Sequence, residues 1–182
     1  MIYRNTNTGF GLIARLLHWL MAIAIFGLFG LGYWMRTLTY NSPYYQSAPE
    51  LHQGIGLSLF ALLVLRLLWK LANPSPKHAG LSKLEHNGSS LMHWGFYGLL
   101  FAAMIAGYFI STLDGRAIHY FGLFDIPSIH TEKGLEKLAG KLHWMITYLI
   151  IGMAGLHAAA ALWHHFIKKD GVLTSMVKGP TE

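Results

Sequence analysis

Four long apolar runs separated by polar segments dominate the chain. They cover about residues 16–35, 51–71, 91–113 and 142–167. Each is long enough to cross a hydrocarbon core about 30 Å thick as an α-helix. The runs are continuous and lack the alternation of apolar and polar positions that is typical of a membrane β-barrel strand. The pattern therefore predicts an all-α protein, a transmembrane four-helix bundle formed by a single domain over residues 1–182.

The segments between the runs are predicted to be loops. Residues 36–50 and 72–90 contain prolines, which end helices. Residues 114–141 form the longest connection, and their second part, TEKGLEKLAGKLHW, has the charge spacing of a helix. We expect this part to lead without a break into the fourth run, with Thr131 as its N-cap. The tail after Lys169 is short and polar.

Composition indicates a membrane protein that binds lipid rather than nucleic acid. The chain is 53% hydrophobic and only 12% charged. Its formal net charge is +6, but the basic residues flank the apolar runs and form no dense stripe. All six tryptophans lie near the ends of runs, as in the aromatic belts of membrane proteins. The chain has no cysteine, which excludes disulfides, iron–sulfur clusters and covalent haem attachment.

The lysine and arginine distribution predicts an orientation in the membrane. One side of the four runs carries nine basic residues and the other carries five. Because basic residues are retained on the cytoplasmic side, both termini are predicted to be cytoplasmic. The nine are Arg4, Arg15, Arg66, Lys70, Lys77, Lys83, Lys168, Lys169 and Lys178, and the five are Arg36, Arg116, Lys133, Lys137 and Lys141.

Four histidines lie inside or at the ends of the apolar runs, at His18, His52, His143 and His157. Such groups are costly in lipid and are therefore functional candidates. The last two share one run, and 14 residues of helix rise about 21 Å and return to within about 40° of the same face. The predicted orientation pairs His18 with His157 near the inner face and His52 with His143 near the outer face. Two imidazoles at one level are what a six-coordinate haem requires, so we predict two non-covalent b-type haems.

Two alternatives to haem ligation stay open for these histidines. An intramembrane histidine can simply form a hydrogen bond to a neighbouring helix. The set can also form a proton or metal path, as in a transporter with histidine relays.

Two further residues are candidates for the inner site. His93 begins the third run at the inner side, so it is an alternative to His18 as the partner of His157. Otherwise it is a candidate contact for a haem propionate or a quinone. Arg66 lies near the inner end of the second run, and its guanidinium is suited to binding the carboxylate of a propionate.

His164 and His165 are the candidate catalytic residues. His164 follows His157 by seven residues, which places it close to the same helix face at the inner mouth. Histidine ordinarily titrates near neutrality, so a histidine there can deliver a proton to a reduced quinone. The alternative is a solvated histidine at the membrane interface.

Two patterns near the histidines each have two explanations. Gly54, Gly56, Gly152 and Gly155 either let a large planar ring approach closely or let helices pack against each other. Lys133, Lys137 and Lys141 are spaced by four on the helix that leads to His143. They either form a positive stripe that attracts small anions or belong to a solvated face, because Glu132 and Glu136 lie between them.

Several motifs together resemble the bacterial cytochrome b-561 family of four-helix dihaem membrane proteins. They are LLHWL around His18, LHQGIG around His52, RLLWKLANPSP at the end of the second run, KLHW around His143 and GLHAAAALWHHF around His157. The resemblance covers about residues 10–170, and the last motif is the most specific. It implies that His18, His52, His143 and His157 are the haem ligands.

The resemblance also implies a function in the bacterial inner membrane. The family is expected to transfer electrons across the membrane, here from a periplasmic donor to ubiquinone, and superoxide oxidation is an activity associated with it. With superoxide as the donor, the protein is an enzyme, a superoxide:quinone oxidoreductase. The alternative is a haem-bearing membrane subunit that passes electrons from a partner dehydrogenase to quinone.

Overall fold

The computed structural model describes residues 2–76, 81–113, 115–128 and 134–180. Four helices in it are long and apolar enough to cross a membrane, which confirms the predicted all-α fold of four membrane-length helices. These are α1 (Leu12–Met35), α2 (Ser47–Ala72), α3 (Lys83–Thr112) and α4 (Leu135–Trp163). Two short strands, β1 (Ile118–Tyr120) and β2 (Phe124–Ile126), lie between α3 and α4, and a short helix, α5 (Val172–Val177), follows α4.

Helix α3 begins well before its apolar run, so part of the predicted loop over residues 72–90 is helical. Its first residue follows Ser82, which forms a capping box with Glu85. The Ser82 backbone N–H and hydroxyl donate to the Glu85 carboxylate at 2.8 and 2.9 Å, and the Glu85 N–H donates to the Ser82 hydroxyl at 3.2 Å. These reciprocal bonds satisfy amide groups that the first turn leaves free, which stabilises a helix start in polar sequence.

Helix α4 begins at Leu135 and runs without a break into its apolar run, as expected. The predicted N-cap, Thr131, lies outside the described residues. Near the helix start, the Gly134 N–H donates instead to the Glu136 carboxylate at 2.7 Å. After Trp163 the helix widens into a π-helical turn over His164–Lys168.

The connection between α3 and α4 contains a β-hairpin that the sequence analysis missed. Strands β1 and β2 are antiparallel, with Ile118 opposite Ile126 and Tyr120 opposite Phe124. Phe121 and Gly122 turn the chain with positive φ angles of 48° and 72°. The positive φ at Gly122 suits a residue without a side chain, whereas at Phe121 it is unusual and indicates a local constraint.

The chain forms two compact units. The first unit comprises Met1–Met21, Leu62–Gly98 and Ile151–Glu182, and the second comprises Ala22–Ala61 and Leu99–Ile150. Each unit therefore contains a segment of all four long helices. Large apolar side chains are exposed in both, among them Ile23, Leu68 and Leu156 at 71, 56 and 65%. Such exposure is expected of helices whose outer faces contact lipid.

Candidate functional site

The second unit brings together His52 on α2 and His143 on α4. Their ring centres are 6.3 Å apart and their planes meet at 74°. An iron binds an imidazole nitrogen at about 2 Å, and that nitrogen lies about 1.1 Å from its ring centre. Two imidazoles that bind one iron from opposite sides would therefore have ring centres about 6.2 Å apart. The pair fits the axial ligation of one haem.

A backbone carbonyl of helix α3 selects the tautomer of His143. The Nδ1 atom lies 2.8 Å from the backbone oxygen of Ala103. A carbonyl only accepts, so Nδ1 carries the proton and Nε2 keeps its lone pair, which is the form that ligates a metal. Gly107, one turn along the same face, allows this approach, because an added Cβ there would lie 3.2 Å from His143 Cε1.

His52 is half-buried, as His143 is, but its buried Nδ1 atom lacks a hydrogen bond. The described residues offer this buried nitrogen no partner. Its ring packs on α1 at Gly32, where an added Cβ would lie 3.3 Å from Cε1. A buried polar atom without a partner costs about 1–3 kcal/mol and is often found at a functional site. This cost is consistent with a ring placed for ligand binding rather than for packing alone.

The β-hairpin docks on α2 beside His52. The Phe121 ring lies so close to Gly54 that an added Cβ would be 2.6 Å from Cζ. The Ser58 hydroxyl donates to the Gly54 carbonyl at 2.9 Å and lies 3.0 Å from the Tyr120 hydroxyl. Gly54 therefore accommodates the hairpin, which is neither of the two explanations considered from the sequence.

The other three glycines do not pack against a neighbouring helix. At Gly56, Gly152 and Gly155 an added Cβ would meet no atom of the described residues within 4 Å. The helix-packing explanation thus fails at these positions. Close approach of a planar ring stays a prediction for them.

We expect alanine at Gly54 to destabilise the second unit. Alanine stabilises a helix by about 1 kcal/mol relative to glycine, but here its Cβ overlaps the Phe121 ring, and overpacking costs about 1–3 kcal/mol. Gly30→Ala is the matched control, because Gly30 lies within α1 in the same unit and an added Cβ meets nothing within 4 Å. In thermal unfolding, Gly54→Ala should have a lower midpoint temperature than Gly30→Ala. Equal stability would show that the ring moves away at no cost.

In the first unit, His157 on α4 lies near two other histidines. Its ring centre is 6.3 Å from that of His18 on α1, at an interplanar angle of 68°. It is 5.5 Å from that of His93 on α3. The separation seen in the second unit thus recurs for the pair predicted from the sequence. His93 is closer to His157 than two axial ligands of one iron would be.

Arg66 contacts His18 directly, with its Nη2 atom 3.1 Å from His18 Nδ1. Arginine only donates, so Nδ1 accepts and a neutral ring carries its proton on Nε2. That form is the opposite of the one at His143. Ligation through Nε2 of His18 therefore requires the Arg66 guanidinium to leave Nδ1. A haem propionate is a stronger acceptor for the guanidinium, which is the role predicted for this residue.

Lys70, one turn beyond Arg66 on α2, packs on α3. Its ammonium lies 4.8 Å from the centre of the Trp94 ring and 5.4 Å from that of Tyr97. Such cation–π contacts are worth about 0.5–2 kcal/mol and increase with desolvation. They hold α2 and α3 together beside the histidines of this unit.

The structure places the two candidate catalytic histidines differently. The His164 side chain is 13% exposed, and its Nδ1 contacts the carboxylate of Asp170. The exposed His165 lines an open cavity of about 430 Å³, together with Phe166, Lys169, Gly171 and Thr174.

Short helix α5 binds back onto α1, a contact that the sequence analysis missed. The Trp19 indole N–H donates to the Met176 carbonyl at 3.3 Å, and the Arg15 guanidinium donates to the Val177 carbonyl. Asp170 was missed as well, because its contact with His164 depends on a turn in a polar tail. By contrast, the spacing of Ser82 and Glu85 is a capping-box signal in the sequence that indicates the start of α3.

Four membrane-length helices with two facing pairs of half-buried histidines define an integral membrane protein whose histidines could hold haem. The family model for prokaryotic cytochrome b561 matches residues 9–179. The chain is 40% identical to cytochrome b561 homolog 2 of Escherichia coli over 179 residues, which is 97% of this chain and 95% of that protein. It is 32% identical to a probable superoxide oxidase of Yersinia pestis over 135 residues, 70% of this chain and 73% of that one. The protein belongs to the prokaryotic cytochrome b561 family of bacterial membrane proteins, which implies b-type haem and membrane electron transfer.

Proposed function

We propose that the protein transfers electrons across the bacterial inner membrane through two b haems and reduces ubiquinone. His52 and His143 hold one haem, and His18 and His157 hold the other. The observation that carries this proposal is the ring separation of 6.3 Å, which recurs in both pairs. When bound, the haems supply one-electron chemistry, and the chain supplies ligands, orientation and a dry interior.

Each of the remaining site residues has a defined task in this proposal. The Ala103 carbonyl keeps His143 in the ligating form, and Arg66 neutralises a propionate in the first unit. His93 contacts a propionate or the quinone. His165 lines the cavity after α4 and would bind the quinone headgroup, and His164, on the same π-helical turn, would protonate it.

Superoxide is the proposed periplasmic donor. The support is the similarity to a protein of Yersinia pestis that is described as a probable superoxide oxidase. Two superoxide ions, one quinone and two protons would give two molecules of oxygen and one quinol. The exposed residues Lys137 and Lys141 precede His143 on α4 and would attract the anion, whereas Lys133 lies outside the described residues.

The purified protein tests this proposal directly. We expect it to contain two low-spin haems per chain, to be reduced by superoxide and to be reoxidised by ubiquinone without another protein. Haem absorbance during rapid mixing follows both half-reactions. If reduction requires an added dehydrogenase, the protein is instead a haem-bearing subunit of the alternative kind. A purified protein without haem absorbance would contradict both.

We propose further that both termini are cytoplasmic, as the nine-to-five distribution of basic residues indicates. A reporter fused after the last residue should therefore register as cytoplasmic. One inserted next to Ser128, after the hairpin, should register as periplasmic. The reverse result would exchange the inner and outer assignment of the two histidine pairs.

A further inference from the structure

Asp170 folds back onto His164 where α4 ends. The π-helical turn His164–Lys168 widens the last part of the helix, and Lys169 then adopts the left-handed conformation with φ 54°. Gly171 follows with φ 79° and is the N-cap residue of α5. These turns bring the Asp170 carboxylate against Nδ1 of His164, where the two side chains are 7% and 13% exposed. π-Helical turns of this kind are often found at functional sites.

The environment keeps Asp170 ionised. Burial raises the pKa of Asp170, but hydrogen bonds with His164 and the Val172 N–H, and the positive charge of Lys168, lower it below its usual value. The carboxylate is therefore an acceptor only. It follows that Nδ1 of His164 is the donor in this contact, which leaves Nε2 as the nitrogen that exchanges protons with other groups.

The neighbouring charges leave this pair intact. Lys168 is bound to Glu85 of α3 at 2.7 Å, and that ion pair is about three-quarters buried. His165 and Lys169 line the cavity on the same turn.

His119 and Asp125 of the hairpin form a similar pair at 2.6 Å, but their side chains are 66% and 61% exposed, so water weakens it.

We propose that Asp170 is a positioning residue that prepares His164 to protonate the reduced quinone, an inference that rests on the proposed reduction of ubiquinone. Quinone becomes quinol by taking up two electrons and two protons. The electrons come from the donor, and the protons come from water at the end of α4. The His164 imidazolium gives its Nε2 proton to a quinone oxygen and keeps its Nδ1 proton, which stays hydrogen-bonded to the Asp170 carboxylate. The carboxylate then stabilises the imidazolium that forms when water returns a proton to Nε2.

Asp170→Asn tests this role in the haem-loaded protein. The rate of haem reoxidation at saturating ubiquinone should fall by about tenfold or more with KM unchanged, because an amide no longer holds the ring in the required form. Asp170→Glu should recover most of the rate. Asp125→Asn makes the same change in the exposed pair and should have no effect.

A double variant separates positioning from a general structural role. His164→Gln should lower the rate as much as Asp170→Asn, and Asp170→Asn should add nothing in the His164→Gln background, because both changes remove one function. Additive losses would overturn the proposal. Haem content should be equal in all variants.

Nitrogen-15 NMR of labelled histidines gives a readout that does not depend on activity. The His164 signals, identified by their loss in His164→Gln, should show a proton on Nδ1 in the native protein and on Nε2 in Asp170→Asn. An unchanged form would overturn the proposal. If ubiquinone fails to reoxidise the native haem, the proposed function is wrong, and the NMR result still decides whether Asp170 orients His164.

Discussion

The His143→Ala protein should contain one haem per chain instead of two. This alanine removes the imidazole that faces His52 at 6.3 Å, so His52 alone would be left to hold the haem of the second unit. His52→Ala should give the same result. The haem of the first unit should stay, since its histidines belong to different segments of the helices. Haem-to-protein ratio and the absorption spectrum provide the measurement.

An exposed histidine provides the control for this loss. His119 lies on the hairpin with a side chain that is 66% exposed, so His119→Ala should keep both haems. Loss of both haems from His143→Ala would mean that the two units fold only together. Retention of both would remove His143 from the ligand set.

The second large effect is expected in the first unit, where the His157 ring lies near two other histidine rings. His157→Ala and His18→Ala should each remove the haem of this unit, and His93→Ala should keep it. The reason is that the His18 ring stands at the 6.3 Å separation that two axial ligands need, and His93 stands at 5.5 Å. The same ratio of haem to protein distinguishes the variants.

The opposite pattern would overturn the pairing. Full haem content in His18→Ala together with loss in His93→Ala would make His93 the ligand. The contact between Arg66 and His18 would then be a lasting feature of the protein, rather than one that a propionate replaces.

The sequence predicted the four helices well because the membrane imposes length and hydropathy on them. It also led to both facing pairs, since helix periodicity and the basic-residue count together indicate the depth of each histidine. It did not predict where α3 begins, because that boundary lies in polar sequence and depends on the capping bonds between Ser82 and Glu85. The three-residue strands of the hairpin are too short for a periodic signal.

Contacts between segments that are distant along the chain could not be predicted from the sequence. Arg66 was predicted to bind a propionate, but its contact with His18 Nδ1 depends on how α1 and α2 lie together. Asp170 became a candidate positioning residue because Lys169 adopts the left-handed conformation and turns the chain back towards His164. This conformation is rare for lysine, and no sequence pattern predicts it. The hydrogen bond from His143 to Ala103 joins residues 40 positions apart.

The binding of α5 to α1 has a consequence for biosynthesis. All residues of the second unit precede residue 151, whereas the first unit also includes α5, whose Val177 carbonyl accepts a hydrogen bond from Arg15. Translation therefore supplies every residue of the second unit before it supplies α5. A chain truncated before α5 would keep all residues of the second unit and lose the bond that ties α5 to Arg15 in the first unit.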